Sequence, residues 1–202
     1  MHRILISLIL IVLGLFSRDV LAWDCTTITT LTTVSPQNVT ISRGLAVGSV
    51  IGTQVISPTI NAYSCRDSDQ GTITNQIFGV KAIGTYVTTI NNRRIYKTEV
   101  DGVGYSISGT TTKCAGGTGV VSGSNTMRGL ADTVKLCENT SGMVNSSLNG
   151  SITVTFYKTA SETGSGTVTG KTVGSLVLLN NALLWQSPEA VVNINAFTVT
   201  TP

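Results

Sequence analysis

The only histidine, His2, lies at the very start of the chain beside an apolar run. The rest of the sequence therefore cannot assemble a Ser-His-Asp or Cys-His arrangement. A paired-carboxylate glycosidase would need two acids facing one another across a cleft. Asp67 and Asp69 are close in sequence, but they follow Cys65 in a stretch that reads as a loop. Gly102-x-Gly104 has no third glycine opening a helix, so it is not a nucleotide-binding loop. No Cys-x-x-Cys pair occurs, and zinc sites need closer ligand spacing than these cysteines have. The sequence predicts no catalysis, no metal and no cofactor.

Recognition is the chemistry that remains. Asp, Asn, Gln and Arg supply the fixed donors and acceptors that a polyhydroxylated ligand such as a sugar needs. Two segments concentrate them. Residues 113–139, bracketed by Cys114 and Cys137, contain Asn125, Arg128, Asp132 and Glu138; residues 66–70 read Arg-Asp-Ser-Asp-Gln. A disulfide closing a Gly- and Ser-rich loop lowers the entropy that the loop loses on binding. Arg128, Asp132 and Asn125 are the expected ligand-binding residues, exposed on that loop, with Asp67 as a neighbouring acceptor. Trp23 and Trp185 are the only tryptophans, and Trp185, between Leu183-Leu184 and Pro188, reads as core or sheet-edge packing.

The four cysteines imply an oxidising compartment, because an apolar leader precedes them. His2 and Arg3 come before the run of residues 4–16, and Val20-Leu21-Ala22 ends in a small residue ahead of Trp23. This is the pattern of a secretory signal peptide over residues 1–22. The run is too short for a membrane span, which takes about 20 apolar residues. Three pairings of Cys25, Cys65, Cys114 and Cys137 are possible, and the one that joins sequence neighbours, Cys25–Cys65 and Cys114–Cys137, is favoured.

What must position these residues is a set of strands. Charged residues make up 11% of the chain, against about 25% in ordinary soluble domains. The net charge is +3, with basic residues scattered apart from Arg93-Arg94, so a nucleic-acid partner is not expected. Ile152, Val154 and Phe156 alternate with Ser and Thr, Val103, Tyr105 and Ile107 with Gly and Ser, and Val192, Ile194 and Ala196 with Asn. Such alternation marks strands with one buried face. Residues 47–56 and 173–179 read as further strands, the latter so continuously apolar that both faces should be buried. Arg43-Gly44, Asp101-Gly102, Gly116-Gly117, Asn149-Gly150 and residues 164–166 supply turn signals. No stretch has a helical period, and residues 126–137 hold a short turn at most. Residues 191–201 read as the strand that closes the domain.

Five stretches in collinear order resemble one family, the two-domain tip adhesins of chaperone–usher fimbriae, and most of all the receptor-binding domain of type 3 fimbrial adhesins. They are Gly44-Leu45-Ala46-Val47-Gly48-Ser49-Val50-Ile51, then Cys65-Arg66-Asp67, then residues 95–107 around Asp101-Gly102-Val103-Gly104-Tyr105. Residues 152–166, with Tyr157-Lys158-Thr159-Ala160-Ser161, and residues 191–202 complete the set. The resemblance implies an all-β, immunoglobulin-like sandwich over residues 23–199 that reads a host glycan or a matrix protein such as collagen. It implies export through the periplasm to the fimbrial tip. It also implies other fimbrial subunits, a periplasmic chaperone and an usher as partners, through a pilin domain that would follow residues 200–202 by strand donation. The alternative is a structural fimbrial subunit without a receptor pocket. No membrane partner is expected.

Overall fold

The computed structural model describes residues 24–66, 76–114, 117–138, 143, 146–180 and 183–202. The expected signal peptide, Trp23 and Asp67 lie outside these residues. Among the described residues the regular structure is strand, apart from a 3-10 position at Met143. The first five strands are β1 (Asp24–Thr27), β2 (Leu31–Val34), β3 (Val39–Thr40), β4 (Val50–Ile56) and β5 (Ile60–Arg66). They are followed by β6 (Ile77–Ala82), β7 (Tyr86–Ile90), β8 (Arg93–Lys97), β9 (Val103–Thr110) and β10 (Thr118–Val120). The last six are β11 (Thr133–Glu138), β12 (Ser146–Lys158), β13 (Gly166–Val168), β14 (Lys171–Leu179), β15 (Ala190–Ile194) and β16 (Phe197–Thr200).

Alternation dictates how these strands stack. The eight-stranded sheet runs β1-β5-β12-β9-β8-β7, with β10 added to β9 and β4 to β12; a five-stranded sheet runs β11-β6-β14-β15-β2, and a three-stranded one β13-β16-β3. Tyr105 and Ile107 of β9 and Val154 and Phe156 of β12 share one core with Phe78 and Val80 of β6 and Leu176 and Leu178 of β14. Burying each such side chain contributes roughly 1.5–3 kcal/mol. The 13-residue β12 is the central strut: residues 146–150 pair with β5, residues 153–157 with β4, and the opposite edge with β9. An aromatic series crosses the core from the exposed Tyr86 through Tyr96, Tyr105 and Phe156 to Phe197. Cys25 is bridged to Cys65 and Cys114 to Cys137, the pairing of sequence neighbours.

Residues 173–179 are buried on both faces as expected. The far face is covered because Met127 packs there with Val177, Leu179 and Ile77. Several other expectations are corrected. Residues 191–201 form two strands, broken at the exposed Asn195 and Ala196. β15 pairs parallel with β2 in the five-stranded sheet, while β16 leaves it to join β13 and, in parallel, β3 in a small three-stranded sheet. The chain must bend between the two sheets, so the apolar alternation stops at Ala196. Strand β4 begins at Val50 rather than Val47, and Gly52 bends it with a φ of +63°. Ser106 and Thr155, expected to face water, are buried cross-strand neighbours, and Gln54 Nε2 donates to Thr155 Oγ1 over 3.0 Å. Asn149-Gly150 is not a turn. It is an irregularity inside β12, where a Cβ on Gly150 would meet the Thr110 carbonyl. Residues 126–137 hold the expected turn, but their second half is strand β11.

Candidate functional site

Residues 121–132, between β10 and β11, form the loop that carries the expected binding residues. Gly123, Asn125, Arg128 and Gly129 all have positive φ, at 87°, 51°, 52° and 74°. Glycine and asparagine tolerate this region readily, and an arginine there is uncommon. The loop is held by its own hydrogen bonds. Met127 N–H donates to Thr133 Oγ1 over 2.8 Å, and that hydroxyl donates to the Leu130 carbonyl over 2.7 Å. Lys135 N–H donates to the Asn125 carbonyl over 2.9 Å, and Met127 is buried beneath. The Cys114–Cys137 bridge ties the far end of β11 to the segment after β9. Thr133 and Met127, rather than the bridge, order the loop directly.

The three expected side chains share this loop without converging. Asn125 is exposed and its Nδ2 donates to the Lys135 carbonyl over 3.3 Å. Arg128 is exposed and its Nη1 donates to the Leu183 carbonyl over 3.1 Å. Glu138 pairs with Lys135 at 2.8 Å. Asp132 turns the other way, into the edge of the sandwich. Arg66 is exposed at the end of β5, while its neighbour Asp67 is outside the described residues.

Asp132 meets a set of residues that sequence reasoning missed. Its Oδ1 accepts from Tyr96 Oη over 2.6 Å and from Arg94 Nε over 3.1 Å. Oδ2 has no protein partner among the described residues, and the side chain is 48% exposed. Strands β7 and β8 deliver the partners through a two-residue turn, Asn91-Asn92, with φ of 49° and 58°. Positive φ at both central residues is what a tight hairpin of this type requires. A register shift between Tyr86 and Thr88 brings Tyr86 onto the face of Tyr96 and Arg94. The Arg94 guanidinium carbon lies 3.8 Å from the Tyr86 ring centroid, a cation–π stack. Tyr86 itself is 41% exposed.

The electrostatics hold this arrangement in one protonation state. Burial opposes the Arg94 cation, but the Tyr96 hydroxyl and the Asp132 carboxylate more than offset it, and its pKa is raised. Burial, then the bond to Asp132, pushes the Tyr96 hydroxyl up as well, so it remains a donor. What results is an oriented carboxylate with one oxygen unpartnered among the described residues, a guanidinium held beside it, and an exposed ring face. These can accept from one ligand hydroxyl, donate to its neighbour and cover an apolar sugar face.

Two concave regions flank this edge. The base of the β7–β8 hairpin borders a cleft of about 470 Å³ lined by Thr85, Lys97, Thr98, Glu99, Asp101 and Lys171, among others. Within it Lys171 pairs with Glu99 at 2.8 Å. Burial would raise the Glu99 pKa, but Lys171 and backbone N–H groups at Glu99 and Thr169 together outweigh it and the net shift is downward. On the other side, Trp185 is bridged to Leu179 at the sheet edge yet is 37% exposed, so it is only in part the packing residue expected. Among the described residues no group of three His, Cys, Asp or Glu side chains is placed to hold a metal ion.

No protein-family model matches this chain, and no curated protein matches it. Solved structures do. The ambient temperature fimbriae adhesin AtfE of Proteus mirabilis is similar at a TM-score of 0.57, with 16% identity over 87% of this chain and 100% of that one. The receptor-binding domain of the plasmid-born adhesin MrkD1P of Klebsiella pneumoniae is similar at 0.54, with 19% identity over 90% of this chain and 97% of that one. Both are named as adhesins. The likeness shows a shared fold, an all-β sandwich of the kind found in fimbrial adhesin receptor-binding domains.

Proposed function

We propose that this chain is the receptor-binding domain of a fimbrial tip adhesin, not an enzyme, and that it attaches a bacterium to a host saccharide or matrix surface. The observation that carries this reading is the Asp132 edge. One carboxylate oxygen is fixed by Tyr96 and Arg94 while the other has no partner among the described residues, beside the exposed Tyr86 ring. A fold shared with two adhesins supports it. So does the fact that the chain's own β15 and β16 bury Val192, Ile194, Phe197 and Val199 in the core. A domain completed by its own strands needs no donated one. On this reading Asp132 is the principal ligand acceptor, Arg94 and Tyr86 work beside it, and Arg128 and Asn125 belong to the rim. Collagen stands among the matrix ligands to be tried. The domain would travel through the periplasm to the fimbrial tip, with chaperone, usher and other fimbrial subunits engaged through a pilin domain.

The test is binding of the purified domain to a glycan array and to a panel of matrix proteins, collagen included. Parent protein should retain at least one ligand, and Arg94→Ala should weaken it by about tenfold, since hydrogen bonds to charged groups contribute roughly 1.5–3 kcal/mol. A folded parent that binds nothing on either panel would move the reading to a structural subunit.

A further inference from the structure

The groove beside Trp185 has no role in the site just described. It is lined by Lys81, Leu130, Trp185, Gln186, Ser187 and Glu189, with a volume of about 320 Å³. Its floor combines an exposed indole with polar groups already fixed in place. Glu189 Oε1 accepts from Lys81 Nζ over 2.6 Å, and Oε2 accepts from Ser175 Oγ over 2.7 Å. Each carboxylate oxygen has a further lone pair, and the carboxylate is oriented before any ligand arrives. Gln186 adds an amide donor and acceptor. A flat apolar surface edged by a few fixed hydrogen-bonding partners is suited to a sugar ring.

The groove and the Asp132 edge share one loop. Leu130 lines the groove and Asp132 stands two residues on, a chain distance of at most ~7 Å. Ala82 N–H donates to the Asp132 carbonyl over 2.8 Å, and Lys81 pairs with Thr133 in register, so the two elements that flank the groove also frame the edge. Arg128 ties the same loop to the Leu183 carbonyl, just before Trp185.

We infer that the Trp185–Glu189 groove is a second saccharide subsite, continuous with the Asp132 edge, and that the preferred ligand is an oligosaccharide long enough to occupy both. This rests on the reading of the Asp132 edge as the primary site. Trp185 supplies the stacking platform, Glu189 accepts from ring hydroxyls, and Lys81 and Gln186 donate. Selectivity for chain length, rather than for one terminal sugar, is the property the second subsite adds.

The experiment takes the strongest glycan from an array of defined saccharides and measures its affinity as a series from single ring to hexasaccharide. Parent affinity should rise with length by about tenfold, the loss typical of truncating an interface tryptophan. Trp185→Ala should bind the single ring like the parent but lose the gain with length, and Trp185→Tyr should restore part of it. Asp132→Ala should weaken every member of the series. A parent affinity that is flat with length, or a Trp185→Ala variant that keeps the gain, overturns the second subsite while leaving the primary one standing. An Asp132→Ala variant that binds all lengths like the parent overturns the primary reading, and this inference with it. Loss of a matrix protein but of no glycan in Trp185→Ala would make the groove a peptide site and would also overturn the inference.

Discussion

Replacing Asp132 by alanine should cost stability as well as binding, although half of the side chain faces solvent. Tyr96 is fully buried, and its hydroxyl is satisfied by Asp132 Oδ1 at 2.6 Å. Removing that acceptor leaves a buried donor without a partner, at a cost of about 1–3 kcal/mol. The Arg94–Asp132 pair adds about 0.2–1 kcal/mol, since an ion pair this open to water is screened. The two together come to about 2 kcal/mol. In a domain of this size each kcal/mol moves the midpoint by about 2–4 °C, so a fall of about 4–8 °C is expected. Tyr96→Phe removes the same hydrogen bond from the other side. A thermal-unfolding cycle by circular dichroism of parent, Asp132→Ala, Tyr96→Phe and the double variant should therefore be non-additive, with the double variant little worse than Asp132→Ala. Asp132→Asn keeps an acceptor and should recover most of the loss. An Asp132→Ala protein that melts with the parent, or single losses that simply add, would refute the coupling.

Reducing both disulfides should remove roughly 3–4 kcal/mol each, from sequence separations of 40 and 23 residues, and lower the melting midpoint by far more than a surface substitution does. Deleting residues 190–202 takes β15 and β16 from the core, and calorimetry should then show no cooperative transition; a soluble, cooperatively melting remnant would contradict the sheet assignment. The folded-state pKa of Glu99 is lowered, so its contribution is present above the unfolded carboxylate value of about 4.3 and is lost as pH falls through the lower folded one. The stability gap between parent and Lys171→Met should accordingly be present at neutral pH, amount to about 0–1 kcal/mol, and close in acid.

The strands and the core were legible because alternation is local. Val103, Tyr105 and Ile107 announce their buried face from neighbours two positions away, and the run of residues 173–179 announces burial on both. The closing segment misled because Val192, Ile194 and Ala196 keep the period through a bend that only sheet pairing reveals. Ser106 and Thr155 looked like water-facing residues, since nothing near them in sequence says that Gln54 will lie across Thr155. The site divides in the same way. Asp132 was visible as a polar residue in a bracketed loop, but its partners Arg94 and Tyr96 lie 38 and 36 residues away. The signal that could have found them was the Asn91-Asn92 pair, a tight-turn dipeptide that folds Tyr86 back beside the one doublet of arginines in the chain.

The most direct measurement of the central claim is amide chemical-shift mapping of the isotope-labelled domain, titrated with the strongest ligand from the array and matrix panels. The largest changes should fall on Tyr86, Arg94, Tyr96, Asp132 and the loop of residues 127–132. Changes confined to the opposite end of the sandwich, with this edge silent at saturation, would contradict it.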